Sequence, residues 1–282
     1  MIVELPSIRE MLGGYTVKSL KYFVFVIMFV FLIGSSSAVA QTKYSLNVEN
    51  IGSGVFTINY SITSSEKVKL MVQKDGTTLF YNLSADRSVE RFPLQLGDGN
   101  YRISVLENVS GNRYRVVFRE TVVVQQNSSL DVYLRSIQMV GWAEDSKAVL
   151  KARELTMDVN SDEEKVQIIY NYLVRNYRYD DKVISSLSYD YLPNIDDMFL
   201  SQKGICYDFS SMFAAMLRSV GVPTKLVMGY ADDVEGYHAW NEVYLQGAWV
   251  IIDTSYDALM YEHNQPHSMY KDTNLYSKVY EF

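Results

Sequence analysis

The stretch 204–230, GICYDFSSMFAAMLRSVGVPTKLVMGY, decides how the second half of the chain folds. Phe209, Met212, Phe213, Met216, Leu217 and Val220 recur at the three- and four-residue spacing of one helix face. Gly221 and Pro223 stop that helix, and Lys225–Tyr230 then reads as a strand. Cys206, the only cysteine among 282 residues, stands before the first apolar position and directly after Gly204 and Ile205. A lone cysteine is most often a small buried apolar residue. At a helix start it meets unpaired backbone N–H groups and the positive end of the helix dipole, which favour a thiolate nucleophile and can also stabilise an oxyanion. Gly204 lets the chain turn tightly into the helix. Asp208 is expected to point to a different face and not to oppose the thiolate.

A nucleophilic thiol needs a base, and the chain has three histidines. His263 and His267 lie in the loop-like YEHNQPHSM and read as solvated. His238 opens the strand-like HAWNEVYL. Gln246-Gly247 reads as a two-residue hairpin turn into AWVIID, which sets Leu245 opposite Ala248 and Trp240 opposite Asp253. By the alternation of side chains, His238 and Asp253 then share one face as diagonal neighbours, roughly 7–8 Å apart at Cα. A carboxylate there can fix the imidazole tautomer and support the imidazolium. Asp257 and Glu242 are weaker candidates for that part. Taken alone, Asp253 would read as a turn residue at the start of DTSYD.

The order of these motifs resembles the transglutaminase-like (papain-like) superfamily: a glycine-x-cysteine opening a helix, a GVPTK helix end, HAW, and an aspartate followed by threonine. The resemblance covers about residues 145–260. It implies Cys206, His238 and Asp253 as catalytic residues that cleave or transfer an amide or peptide acyl group through a thioester. Crosslinking transglutaminases add a tryptophan upstream of the cysteine at the oxyanion hole. No Trp lies between Trp142 and Trp240 here, so Tyr179 is the substitute to examine. That departure favours hydrolysis over crosslinking. No cofactor is expected: no loop has calcium-ligand spacing, and one cysteine without a close histidine pair makes zinc implausible.

Residues 43–135 read differently. Alternating, β-branched runs (KYSLNVEN, VFTINYSI, KVKLMVQ, TTLFYNL, NYRISVLE, YRVVFRETVVV) are parted by Gly-, Asn- and Asp-rich turns. The expectation is an immunoglobulin- or fibronectin-like β-sandwich over 41–135, serving as a spacer or contact module. It precedes an α+β catalytic domain over 136–282, with helices packed on an antiparallel sheet. Ser161 with Glu164 marks the start of a helix whose apolar stripe runs from Val166 to Tyr177.

Lys18 and Lys21, the apolar run Tyr22–Ile33 and the small-x-small site Ala38-Val39-Ala40 read as a signal peptide over 1–40. This predicts a secreted or cell-surface protein that meets a membrane only through its export signal. Residues 1–16 sit ahead of that signal as an extension. One reading is that Gly13-Gly14 derives from a ribosome-binding sequence and that translation begins at Val17. Cleavage after Ala40 leaves 23 basic and 31 acidic residues, a net charge of −8. That charge argues against nucleic acid as a partner. Export and a prokaryotic source together suggest a protein or cell-wall peptide as substrate. A non-catalytic extracellular scaffold is the contrasting reading, against which the three groups in catalytic order speak.

Overall fold

The computed structural model describes residues 2–4, 43–63, 66–188 and 190–282. The expected signal segment therefore lies outside the described residues. Among the described residues, no helix is long and apolar enough to cross a membrane.

The first half is β-rich, as the alternating patterns predict. A five-stranded antiparallel sheet has the order β1-β8-β7-β4-β5, from β1 (Ile2–Glu4), β4 (Val68–Lys74), β5 (Thr77–Leu83), β7 (Gly99–Ser110) and β8 (Arg113–Val124). A three-stranded sheet is ordered β2-β3-β6, from β2 (Tyr44–Asn47), β3 (Val55–Tyr60) and β6 (Val89–Pro93). The strand β6 was absent from the sequence reading, because VERFP is short and charged. The β4–β5 hairpin turns on Asp75 and Gly76, both at positive φ, the geometry that Asp-Gly favours. Met71, Leu106 and Tyr114 form a buried cluster on one face of the five-stranded sheet. In terms of compactness the chain divides into two units interleaved in sequence. One gathers residues 60–88 and 102–121; the other gathers 46–59, 89–101 and 122–282.

Within the second unit, five helices and an antiparallel sheet carry the motifs singled out above. The helices are α1 (Lys147–Leu155), α2 (Asp162–Asn176), α3 (Ile195–Ser201), α4 (Cys206–Ser219) and α5 (Thr254–Glu262). The sheet order is β13-β12-β11-β14, with β11 (Thr224–Ala231), β12 (His238–Leu245), β13 (Ala248–Ile252) and β14 (Tyr276–Glu281). Ser161 caps α2 by accepting the Glu164 N–H. Gly221 ends α4 with φ +88°, where any other residue would be strained.

The helix α4 is buried on all sides from Asp208 to Arg218, not along one stripe. Sequence periodicity underestimates this because the additional buried positions are Ser210, Ser211, Ala214 and Ala215, small enough to meet neighbouring backbone closely. Ser211 Oγ donates to Met139 O, and Asn241 of β12 donates to Ser210 O. Arg218 is also buried, donating to the carbonyls of Thr224, Arg135 and Phe282. The helix that begins at Cys206 is thus fixed in the core, and only its ends, Cys206–Tyr207 and Ser219, approach solvent.

Candidate active site

Cys206 is the first residue of α4 and is partly exposed. Immediately before it, a two-residue strand, β10 (Lys203–Gly204), pairs in parallel with β9 (Arg178–Tyr179), setting Tyr179 level with Gly204. This sets Tyr179 beside Cys206, the group with which its phenol interacts most strongly. Burial, and then Cys206 itself, push the Tyr179 phenol well above its ordinary range, so it keeps its proton as a donor.

His238 begins β12 and is 4% exposed. The hairpin register runs from Leu245 opposite Ala248 to Asn241 opposite Ile252, one step short of the expected Trp240–Asp253 pair, and Asp253 follows as the cap of α5. The side chains meet: His238 Nε2 lies 2.7 Å from Asp253 Oδ2. The other ring nitrogen remains for Cys206, with which the imidazole is also hydrogen-bonded. Burial alone would lower the imidazole pKa. The Asp253 bond and the Cys206 bond outweigh it and raise the value to about 10. Asp253 is fully buried, which pushes its carboxyl up, yet the His238 bond and charge hold it below the usual range.

Asp253 also resolves the two sequence readings of that position, because it does both jobs. Its backbone follows Ile252, the last residue of the strand ladder, and its side chain caps α5. Oδ1 accepts from Tyr256 N–H at 3.0 Å and from Ser255 Oγ at 2.9 Å. Oδ2 takes His238 and, at 3.1 Å, the hydroxyl of Tyr276. DTSYD is therefore the start of a helix, where a turn had been expected. Tyr276 escaped the sequence reading because it lies on β14, a half-exposed edge strand whose YSKVYE pattern carries little apolar alternation. Trp240 stacks beside His238 at 6.3 Å, and Tyr276 meets its edge at 5.0 Å, so aromatic surface shields the pair.

The other candidates fall elsewhere. Asp257 is buried but serves Lys271 at 2.5 Å and Tyr170 at 2.9 Å, one turn along α5 from Asp253. Glu242 pairs with Lys278 at 2.9 Å. His263 and His267 are exposed. Asp208 acts at the cap of α4. Its carboxylate folds back to the helix start, where Oδ2 accepts the Ile205 N–H at 2.9 Å. Among the described residues, no cluster of three or more His, Cys, Asp or Glu forms a metal-holding group.

The arrangement can do nucleophilic chemistry: a thiol at a helix N-terminus, an imidazole held by a buried carboxylate, and a phenol beside the thiol. The chain is similar to several known proteins. Residues 151–254 match the model of the transglutaminase-like superfamily. The human kyphoscoliosis peptidase is 26% identical over 147 residues, 47% of this chain and 21% of that protein. The uncharacterized protein YebA of Bacillus subtilis is 26% identical over 175 residues, 55% of this chain and 23% of YebA. The chain thus spans under a quarter of these relatives' lengths. Among solved structures, a proposed cysteine protease of Cytophaga hutchinsonii aligns with 17% identity and a TM-score of 0.40, covering 71% of each chain.

Proposed function

From the premise that residues 151–254 are a transglutaminase-like domain, we propose that this chain is a cysteine-dependent amide hydrolase or acyltransferase acting through a Cys206-His238-Asp253 triad. The observation that carries the reading is the buried 2.7 Å contact of His238 with Asp253, made while the same ring hydrogen-bonds the Cys206 thiol. Cys206 Sγ, as thiolate, attacks the carbonyl carbon of a carboxamide or peptide bond. The Tyr179 hydroxyl, set beside Cys206 by the β9–β10 pairing, is the donor assigned to the oxyanion that forms. Protonated His238 gives its proton to the departing nitrogen, so ammonia or an amine leaves and a thioester remains. Water then attacks the thioester, His238 takes its proton, and a carboxylic acid leaves, restoring the thiolate beside protonated His238. An amine in place of water gives transfer. Hydrolysis is the favoured outcome, because the tryptophan of crosslinking members is replaced here by Tyr179. The substrate is a protein or cell-wall peptide met outside the cytoplasm, a reading supported by the export signal in the sequence.

The test is ammonia release and amine uptake on a glutamine-rich protein, alongside iodoacetamide alkylation of Cys206, in wild type and His238→Ala. Hydrolysis predicts ammonia without amine uptake and a large loss in the variant. Equal alkylation rates in both proteins across pH 5–9 would defeat the triad.

A further inference from the structure

Asp208 is a buried carboxylate, 6% exposed, two residues after the nucleophile, and among the described residues no Lys, Arg or His pairs with it. Burying an anion without a counter-charge is costly unless hydrogen bonds hold it, and two do. Oδ2 takes the Ile205 N–H, and Oδ1 takes the Tyr191 hydroxyl at 2.5 Å. The Tyr191 ring also meets the edge of Tyr207, the residue after Cys206, at 6.3 Å. Gly204 makes room for this arrangement, since a Cβ there would lie 2.7 Å from the Asp208 Cβ.

The backbone just before α4 receives the chain at an earlier point. The β9–β10 pairing sets Tyr179 level with Gly204, and Asp180 N–H donates to Gly204 O at 3.0 Å. Between these two attachments lies the exposed segment Asp181–Ser186 with Leu187 and Ser188, which presents Val183 and Ile184 at 37% and 50% exposure. A helix cap alone would not require Tyr191, and a solvated excursion would not need anchoring at both ends to the residues flanking the thiol.

We infer that residues 181–188 are the substrate-binding wall of the candidate site, that Val183 and Ile184 receive an apolar side chain adjacent to the attacked carboxamide, and that Asp208 and Tyr191 are the latch holding this wall beside Cys206. Asp208 and Tyr191 are positioning residues. The inference rests on the acyl-transfer reading for its substrate, while the latch can be tested without it.

Two measurements separate these parts. In the full-length protein, trypsin cleavage after Lys182, which lies on the wall, reads the latch. Tyr191→Phe keeps the ring and removes only the hydroxyl. It should speed that cleavage about tenfold and leave Cys206 alkylation by iodoacetamide within twofold of wild type. Asp208→Asn should behave likewise, and the double variant should be no faster than the quicker single one. Unchanged cleavage in Tyr191→Phe, or additive effects in the double variant, overturns the latch. Slower alkylation in proportion to faster cleavage also overturns it, since the pair would then support the helix rather than the wall. The second measurement is protection of Cys206 from alkylation by two blocked peptides, Leu-Gln-Leu and Gly-Gln-Gly. The expected result is at least tenfold stronger protection by the leucine peptide, abolished in Val183→Ser/Ile184→Ser. Equal protection by the two overturns the apolar wall. Protection by neither refutes the acyl site, and the trypsin result then stands or falls alone.

Discussion

Replacing Asp253 should separate the two tasks that one carboxylate performs. The residue accepts from Tyr256 N–H and Ser255 Oγ through Oδ1, and from His238 and the Tyr276 hydroxyl through Oδ2. At about 1 kcal/mol per buried hydrogen bond, Asp253→Ala should lose roughly 4 kcal/mol of stability. Asp253→Asn keeps a carbonyl oxygen for the α5 cap, so about half of that loss, roughly 2 kcal/mol, should be recovered. Activity should divide differently. Both variants remove the charge that supports the His238 imidazolium, and loss of that support in a triad costs about 10⁴-fold in turnover. Urea denaturation gives the first quantity. Ammonia release from a glutamine-rich protein, with iodoacetamide alkylation of the sole cysteine, gives the second. If Asp253→Asn is as unstable as Asp253→Ala, the capping account is wrong. If it keeps more than a tenth of wild-type turnover, the carboxylate's charge is not what holds the imidazole in its working state.

Turnover that depends on protonated His238 should decline as pH rises through about 10, as a pH–rate profile would show. The same shift acts on folding. The His238 value is raised above its unfolded ~6.5, so its contribution is complete below pH ~6.5 and disappears as pH climbs through about 10. Asp253 is held below its unfolded value, so its contribution is present above pH ~3.9 and is lost as pH falls through the lower folded value. Gly229→Ala should destabilise by about 1–3 kcal/mol or more in urea denaturation, because a Cβ there would sit 2.1 Å from Ser277 O of β14. Arg218→Met should cost roughly 3 kcal/mol by the same assay, since three carbonyls lose their buried donor. Tyr276→Phe keeps the ring against Trp240 and removes one bond to Asp253, so it should lower turnover only several-fold.

What the sequence disclosed and withheld follows from the range of the interactions involved. The hairpin register was legible because Gln246-Gly247 is a short turn of definite parity, with Gln246 at φ 51° and Gly247 at φ 86°. The helix at Cys206 was legible from its apolar spacing and from its Gly-Val-Pro ending. The strand alternation of the first half gave its β character, although the interleaving of its segments with residues 122–282 leaves no local mark. Tyr276 and Tyr191 were not legible. Each acts through a single hydroxyl reaching a carboxylate 23 or 17 residues away, and neither alters any periodicity around it. The cap role of Asp208 was not legible either. At the third position of a helix a carboxylate can turn back to the preceding backbone N–H, and its surroundings then depend on the cap more than on the wheel.

The order of the site's parts along the chain has a consequence for when the thiol becomes reactive. Tyr179 and Cys206 come first, His238 follows 32 residues after the cysteine, Asp253 another 15, and Tyr276 another 23. Each later group reaches the earlier ones only through the β11–β12–β13 hairpins and the edge pairing of β14. An unfolded chain therefore carries a cysteine with no base beside it. Folding itself brings the imidazole and its carboxylate to the thiol, so the three groups are assembled by the closing of the sheet.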